Sequence, residues 1–324
     1  MNRILRLTSQ VAITLLSLTL LQHCKSTGEN KIESVPDSSS SHQVIKAVDA
    51  KTEFAEINNK KIAYRSVGSG TPLILCTRYR AVLDDWDPLF IDELAKTFQV
   101  ITFDYIGVGL SPGELSTDFA VISDDIKDLA AFLKLNKFAI GGWSYGGMIA
   151  QVCSVLYPDL VTHTVLIGTS PPGKPVKATA DLFMEVSSKP VYELKDETVL
   201  FFEPTSALSR ATAERSRQRI QQRTTDRDVA VPEKVWSRYF LGIGEYIKDK
   251  TGTLEKLKDL KTPILVVSGT RDIACPAENW FALNGQIPSL QLIVVPQAGH
   301  GPQHQYPQLV AQYISDFVKR PILE

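Results

Sequence analysis

The sequence predicts an α/β fold, a mostly parallel twisted sheet flanked by helices, with a helical cap inserted in its second half. Three observations carry that expectation. Short runs of β-branched and apolar residues recur at Pro72 to Cys76, Gln99 to Phe103, Phe138 to Ile140, His163 to Ile167, Ile264 to Val267 and Leu292 to Val295. Each is too short for a helix and apolar enough for a strand buried on both faces. Between strands, apolar residues return every three or four positions, as at Ile122, Ile126, Leu129 and Leu133, and at Met148, Ile149, Val152 and Leu156. That spacing gathers them on one helix face. After Gly168 the strand rhythm stops and resumes only at Ile264, so the stretch of roughly 171–261 reads as the cap.

The chain opens with Arg3 and Arg6 and then an uncharged run from Leu7 to Leu21, which reads as a signal peptide over 1–23. Its apolar part is shorter than the roughly 20 residues of a spanning helix, which disfavours a permanent anchor. Cys24 follows directly, with Lys25, Ser26, Thr27 and Gly28 behind it, an arrangement that resembles a bacterial lipoprotein signal; Leu21 fits that pattern, and Gln22 and His23 depart from it. The resemblance implies lipidation at Cys24, export to a bacterial cell envelope and attachment to a membrane surface. Residues 24–50, with Ser38 to Ser41 in a row and few large apolar side chains, read as a disordered tether, leaving 51–324 as the folded domain.

Composition narrows the function classes. A chain of 324 residues, 44% hydrophobic, can bury the core of one such domain. With 35 basic against 36 acidic residues it has no electrostatic footprint for nucleic acid. Beyond Cys24 the cysteines are Cys76, Cys153 and Cys275, an odd set that argues against a disulfide framework. Within the domain, Glu53 to Ile57 and Lys61 to Arg65 flank Asn58 and Asn59 as a hairpin. The cap's aromatics, Phe183, Phe201, Phe202, Trp236, Tyr239 and Phe240, suit either an acyl pocket or the cap's own small core. Its arginines, from Arg210 through Arg219 and Arg223 to Arg227, read as a solvated helix face.

The chemistry concentrates at Gly142, Trp143, Ser144, Tyr145 and Gly146, which follow an apolar strand and open a helix. A sharp strand-to-helix turn lifts a serine hydroxyl above the sheet and sets it at a helix N-terminus, where free amides favour developing negative charge. Later in the chain Asp272 ends the strand and loop Val266 to Arg271, and His300 follows Ala298 and Gly299 after the next strand. Serine, acid and histidine thus come in the order in which such a turn is paired with its acid and base. His304 competes with His300 for the role of base, and the Gly-His pair favours His300.

From Phe54 to Phe317 the sequence resembles the α/β-hydrolase family of esterases, enol-lactonases and peroxidase-like hydrolases, adding the stretch Phe103 to Ser111, in which Asp104 is structural. The resemblance implies a serine hydrolase with Ser144 as nucleophile, Asp272 and His300 as its partners, a small-molecule acyl substrate and no cofactor or metal. It places the oxyanion donors at the amides of Tyr79 and Tyr145, and puts Thr77 and Arg78 where the family has His-Gly. Arg78 and Arg80 then either recognise an acidic substrate or, for Arg78, pair with Asp84, Asp85 or Asp87. Two alternatives remain: acyl transfer or perhydrolysis by the same triad, and a non-catalytic hydrolase-like binding protein.

Overall fold

The computed structural model describes residues 45–319. The expected signal over 1–23 and Cys24 lie outside them, as does most of the 24–50 tether. The end of that tether is docked, contrary to expectation. Ala47–Asp49 form a 3₁₀ turn, the Ala47 amide donates to Asp92 at 2.8 Å, and Arg223 donates to the Ala47 and Ala50 carbonyls at 2.6 and 2.9 Å.

Eight strands form one sheet: β1 (Glu53–Ile57), β2 (Lys60–Val67), β3 (Thr71–Cys76), β4 (Phe98–Phe103), β5 (Phe138–Trp143), β6 (Val161–Ile167), β7 (Ile264–Gly269) and β8 (Leu290–Val295). Their order is β1-β2-β4-β3-β5-β6-β7-β8. β2 runs antiparallel to both of its neighbours, and all other pairs are parallel. Asn58 and Asn59 join β1 to β2 in left-handed backbone at φ 50° and 63°, which asparagine tolerates better than other side chains.

Helices cover both faces, so the sheet has two cores. On one face α1 (Pro88–Ala95) and α11 (Pro307–Lys319) bury Phe90, Leu94, Val310 and Ile314 against Leu73, Val165 and Leu265. On the other, α2 (Phe119–Phe132) and α3 (Tyr145–Leu156) bury Ile122, Ile126, Leu129 and Ile149 against Ile74, Ile140 and Val266. Five helices stand between β6 and β7: α4 (Asp181–Ser187), α5 (Leu194–Phe201), α6 (Ala207–Ile220), α7 (Glu233–Lys248) and α8 (Thr253–Asp259). Two short ones, α9 (Glu278–Phe281) and α10 (Pro302–Gln305), complete the set.

The cap is fastened by charge, which corrects the expectation of a solvated arginine face. Arg219 on α6 grips the fully buried Asp87 at 2.8 and 2.5 Å, and Ser216 donates to the same carboxylate at 2.7 Å. Arg223 is itself buried. Arg217 pairs with Glu197 at 2.9 Å, whereas Arg227 is exposed. Asp104 is structural as expected: buried after β4, it accepts from the amides of Leu83 and Leu110 at 3.2 and 3.0 Å. Burial, with Asp228 beside it, pushes its carboxyl pKa well up. Cys76, Cys153 and Cys275 are free and buried.

Candidate active site

In this strand order β3 sends the chain to β4 on one side, and β5 lies on the other. The crevice above the carboxyl ends of β3 and β5 is therefore a topological switch point, where open parallel sheets bind ligands. The register sets Cys76 beside Gly142, so the residues after each strand face one another across that crevice.

Ser144 follows β5 in strained backbone, φ 57° and ψ −116°, before α3 begins at Tyr145. A left-handed φ is costly for any residue with a Cβ, and such strain persists only where the surroundings impose it. Here they do so through the Ser144 amide, which donates to the Ile167 carbonyl at 2.9 Å, and the Ser144 carbonyl, which accepts from Thr169 Oγ1 at 2.7 Å. Gly146 lets the turn press against the segment after β3. A Cβ there would stand 2.1 Å from the Cys76 carbonyl oxygen and 2.6 Å from that of Thr77.

Asp272 and His300 stand at the ends of β7 and β8. Nδ1 of His300 lies 3.0 and 2.9 Å from the two Asp272 carboxylate oxygens, and both side chains are buried. Asp272 also accepts from the amides of Ala274 and Cys275, each at 2.8 Å, which fixes the carboxylate in place. The His300 carbonyl accepts from Trp143 Nε1 at 2.8 Å, and Gly168, at φ 48°, turns so close beneath it that a Cβ would come within 2.4 Å. Ser144 and His300 line one cavity, although no hydrogen bond joins Ser144 Oγ to the ring.

The amides of Tyr79 and Tyr145 donate to no protein acceptor among the described residues, and the Thr77 carbonyl beside them is held by the Tyr105 hydroxyl at 2.8 Å. Burial pushes the Tyr79 phenol up to about 12 and that of Tyr145 higher still, so both are neutral at ordinary pH, Tyr79 at the cavity wall and Tyr145 in the core. His304 is a structural residue. Its Nε2 accepts from the Asp87 amide at 3.2 Å, its ring packs 4.6 Å from Trp143, and burial, only partly opposed by Asp87, lowers its pKa to about 4.

The cavity is lined by Arg78, Tyr79, Ser144, Phe183, Ser187, Tyr192, Leu200, Phe201 and His300 and holds about 10 Å³, the room of about one water. Larger depressions exist, among them one of about 480 Å³ beside Arg271 and one of about 330 Å³ beside Asp249, but neither is lined by Ser144 or His300. Among the described residues no three His, Cys, Asp or Glu side chains gather as a metal would need. The cap aromatics divide between the two expected roles. Phe183 and Phe201 reach the cavity, Phe202 and Tyr239 are core, and Trp236 lies 3.4 Å below the Arg80 guanidinium. Trp143, Thr169, Tyr105 and Tyr192 support the site without having been singled out for it. Only Trp143 and Tyr105 carried a signal, as neighbours of Ser144 and Asp104.

Residues 71–307 match the family described as alpha/beta hydrolase fold. An alpha/beta hydrolase fold protein from Chitinophaga pinensis is similar in structure at a TM-score of 0.78 and 29% identity, over 86% of this chain and all of that one. Proline iminopeptidase PfmaB of Pestalotiopsis fici is 26% identical over 281 residues, 83% of this chain and 99% of its own length. A pimeloyl-acyl-carrier-protein methyl ester esterase of Aliivibrio salmonicida is 25% identical over 242 residues, 74% of this chain and 88% of its own. Fold, site and relatives agree: the chain belongs to the alpha/beta hydrolase fold family and is a hydrolase.

Proposed function

We propose that this hydrolase cleaves a carboxylic ester or related acyl bond through an acyl-enzyme on Ser144. The observation that carries the reading is the strained Ser144 turn sharing one cavity with a His300 that is held through Nδ1 by Asp272. With Nδ1–H donated to the carboxylate, the lone pair of Nε2 is free to take the Ser144 proton. Oγ then bonds to the acyl carbon, and the carbonyl oxygen gains the negative charge that the Tyr79 and Tyr145 amides receive. His300 returns its proton to the departing alcohol as the carbon–oxygen bond breaks. Water next gives a proton to His300 and its oxygen to the acyl carbon, and Ser144 recovers the proton as the acid leaves. The open distance between Ser144 and His300 closes as substrate binds, as such contacts commonly do.

A fluorophosphonate probe tests the reading by modifying Ser144 in the intact protein. Ser144→Ala should remain folded, escape labelling and lose p-nitrophenyl ester turnover by about 10³-fold or more. Wild-type turnover in that variant, or folded protein that never labels at Ser144, sinks the proposal. Export and lipidation at Cys24 belong to the same proposal on the sequence motif alone. Labelled palmitate that enters the full chain, but not its Cys24→Ala form, is the corresponding test.

A further inference from the structure

The wall of the catalytic cavity carries one guanidinium, that of Arg78, and a second, that of Arg80, lies behind it under the cap. Arg78 is 8% exposed and lines the cavity with Ser144 and His300. One end of its fork donates to Asp85 at 3.2 Å and another to the Tyr79 carbonyl at 2.9 Å, while Phe201 and Trp143 flank it at 4.5 and 5.2 Å. Its Nε–H is buried and has no acceptor among the described residues. Arg80 donates only to neutral oxygens, the carbonyls of Ser187, Lys189 and Pro190 and the Tyr192 hydroxyl, and no described carboxylate lies within ion-pair reach of it. The carboxylates on the overlying α5 already have cations: Asp196 pairs with Lys189 at 2.6 Å and Glu197 with Arg217 at 2.9 Å. Arg78 therefore brings to the cavity one buried donor that is unused, and an unmatched buried donor costs free energy until something accepts from it.

We infer that Arg78 is a specificity residue, and that the substrate is an ester whose acid part carries a second, free carboxylate, which Arg78 receives while Ser144 attacks the ester carbonyl. The inference rests on the proposed acyl-enzyme reading. The pairing of Arg78 with Asp85 does not preclude it, because that contact uses one nitrogen and leaves the buried Nε–H of this cavity-lining residue without an acceptor.

The test compares two p-nitrophenyl esters of equal chain length, the neutral valerate and the hemiglutarate, on the full chain and on Arg78→Met and Arg78→Lys. The wild type should favour the hemiglutarate in kcat/KM. Arg78→Met should lose that preference by about tenfold or more, with Arg78→Lys restoring part of it. A wild-type preference for the valerate, or a ratio unmoved in Arg78→Met, overturns the inference and leaves the hydrolytic reading standing. Should neither ester turn over, the hydrolytic reading has failed, and calorimetric titration with glutarate decides for the seat alone. Heat of binding that vanishes in Arg78→Met upholds it, and no binding to the wild type removes it.

Discussion

His304 offers a prediction whose size follows from its surroundings. The imidazole is neutral inside the fold, with a pKa lowered from 6.5 to about 4 chiefly by burial, while the unfolded chain takes up its proton near the ordinary value. A group whose folded pKa is depressed stabilises fully above the unfolded pKa, and that stability drains away as pH falls toward the folded one. The gap corresponds to about 3 kcal/mol in full, of which about 2 kcal/mol is already lost at about pH 5. Replacing His304 with Gln keeps an oxygen able to accept from the Asp87 amide but removes the titration. Urea unfolding of both proteins at about pH 8 and about pH 5 is the assay. The wild type should lose about 2 kcal/mol more than His304→Gln between those points. Buried carboxyls such as Asp104, whose pKa is raised, act in the opposite sense, so only the difference between the two proteins isolates the histidine. Parallel pH profiles for the two would refute the assignment of His304 as a buried neutral residue, and loss of turnover matching that of His300→Gln would reopen its candidacy as the base.

Two further outcomes follow from the cap's fastenings. Arg219→Ala leaves the fully buried Asp87 without its cation and should lower unfolding free energy by about 3–5 kcal/mol; the double variant Asp87→Asn, Arg219→Met should recover much of it, and a denaturant midpoint unchanged by Arg219→Ala would show the pair to be idle. Arg80→Ala frees the carbonyls of Ser187, Lys189 and Pro190 at once, so amide exchange should quicken across 187–192 while α2 and α3 stay protected; equal exchange in the two proteins would deny Arg80 any hold on the cap.

The strands were legible because a strand buried on both faces must be a short apolar run, as β3 to β7 are, while β8 at the sheet edge is an apolar run that stays half-buried. Ser144, Asp272 and His300 stand out in the sequence because each ends a strand or loop, with Gly142 and Gly146 marking a tight turn at the serine and Gly299 one at the histidine. What periodicity could not show is contact between distant segments. Arg219 and Asp87 stand far apart in sequence, and nothing local distinguishes Arg219 from the exposed Arg227, although one is clamped to a buried carboxylate. The same holds at the cavity. Arg78 and Arg80 lie two apart around a turn in which Arg80 has left-handed backbone at φ 59°, and the first turns inward to the rings of Phe201 and Trp143 and the second outward to the cap, a division completed by which side chains of α4, α5 and α7 arrive there. Whether Phe183 or Phe240 would line the cavity was equally a matter of tertiary packing: the first lies against His300 and the second against Tyr79 on the solvent side.

On the proposed acyl-enzyme reading, a chamber with the room of about one water admits an acyl group only in molecules whose cap has lifted. The measured affinity for any ester is then its affinity for the open form multiplied by the fraction of molecules that are open. With about one molecule in a hundred open, binding is about a hundredfold weaker than the chamber itself would allow. The short stretch from Ser187 to Tyr192 is gathered on the single guanidinium of Arg80 at the edge of that chamber, so the hold of Arg80 bears on that fraction. Changes at Arg80, which does not line the chamber, then alter how often a substrate is admitted more than what happens to it once inside.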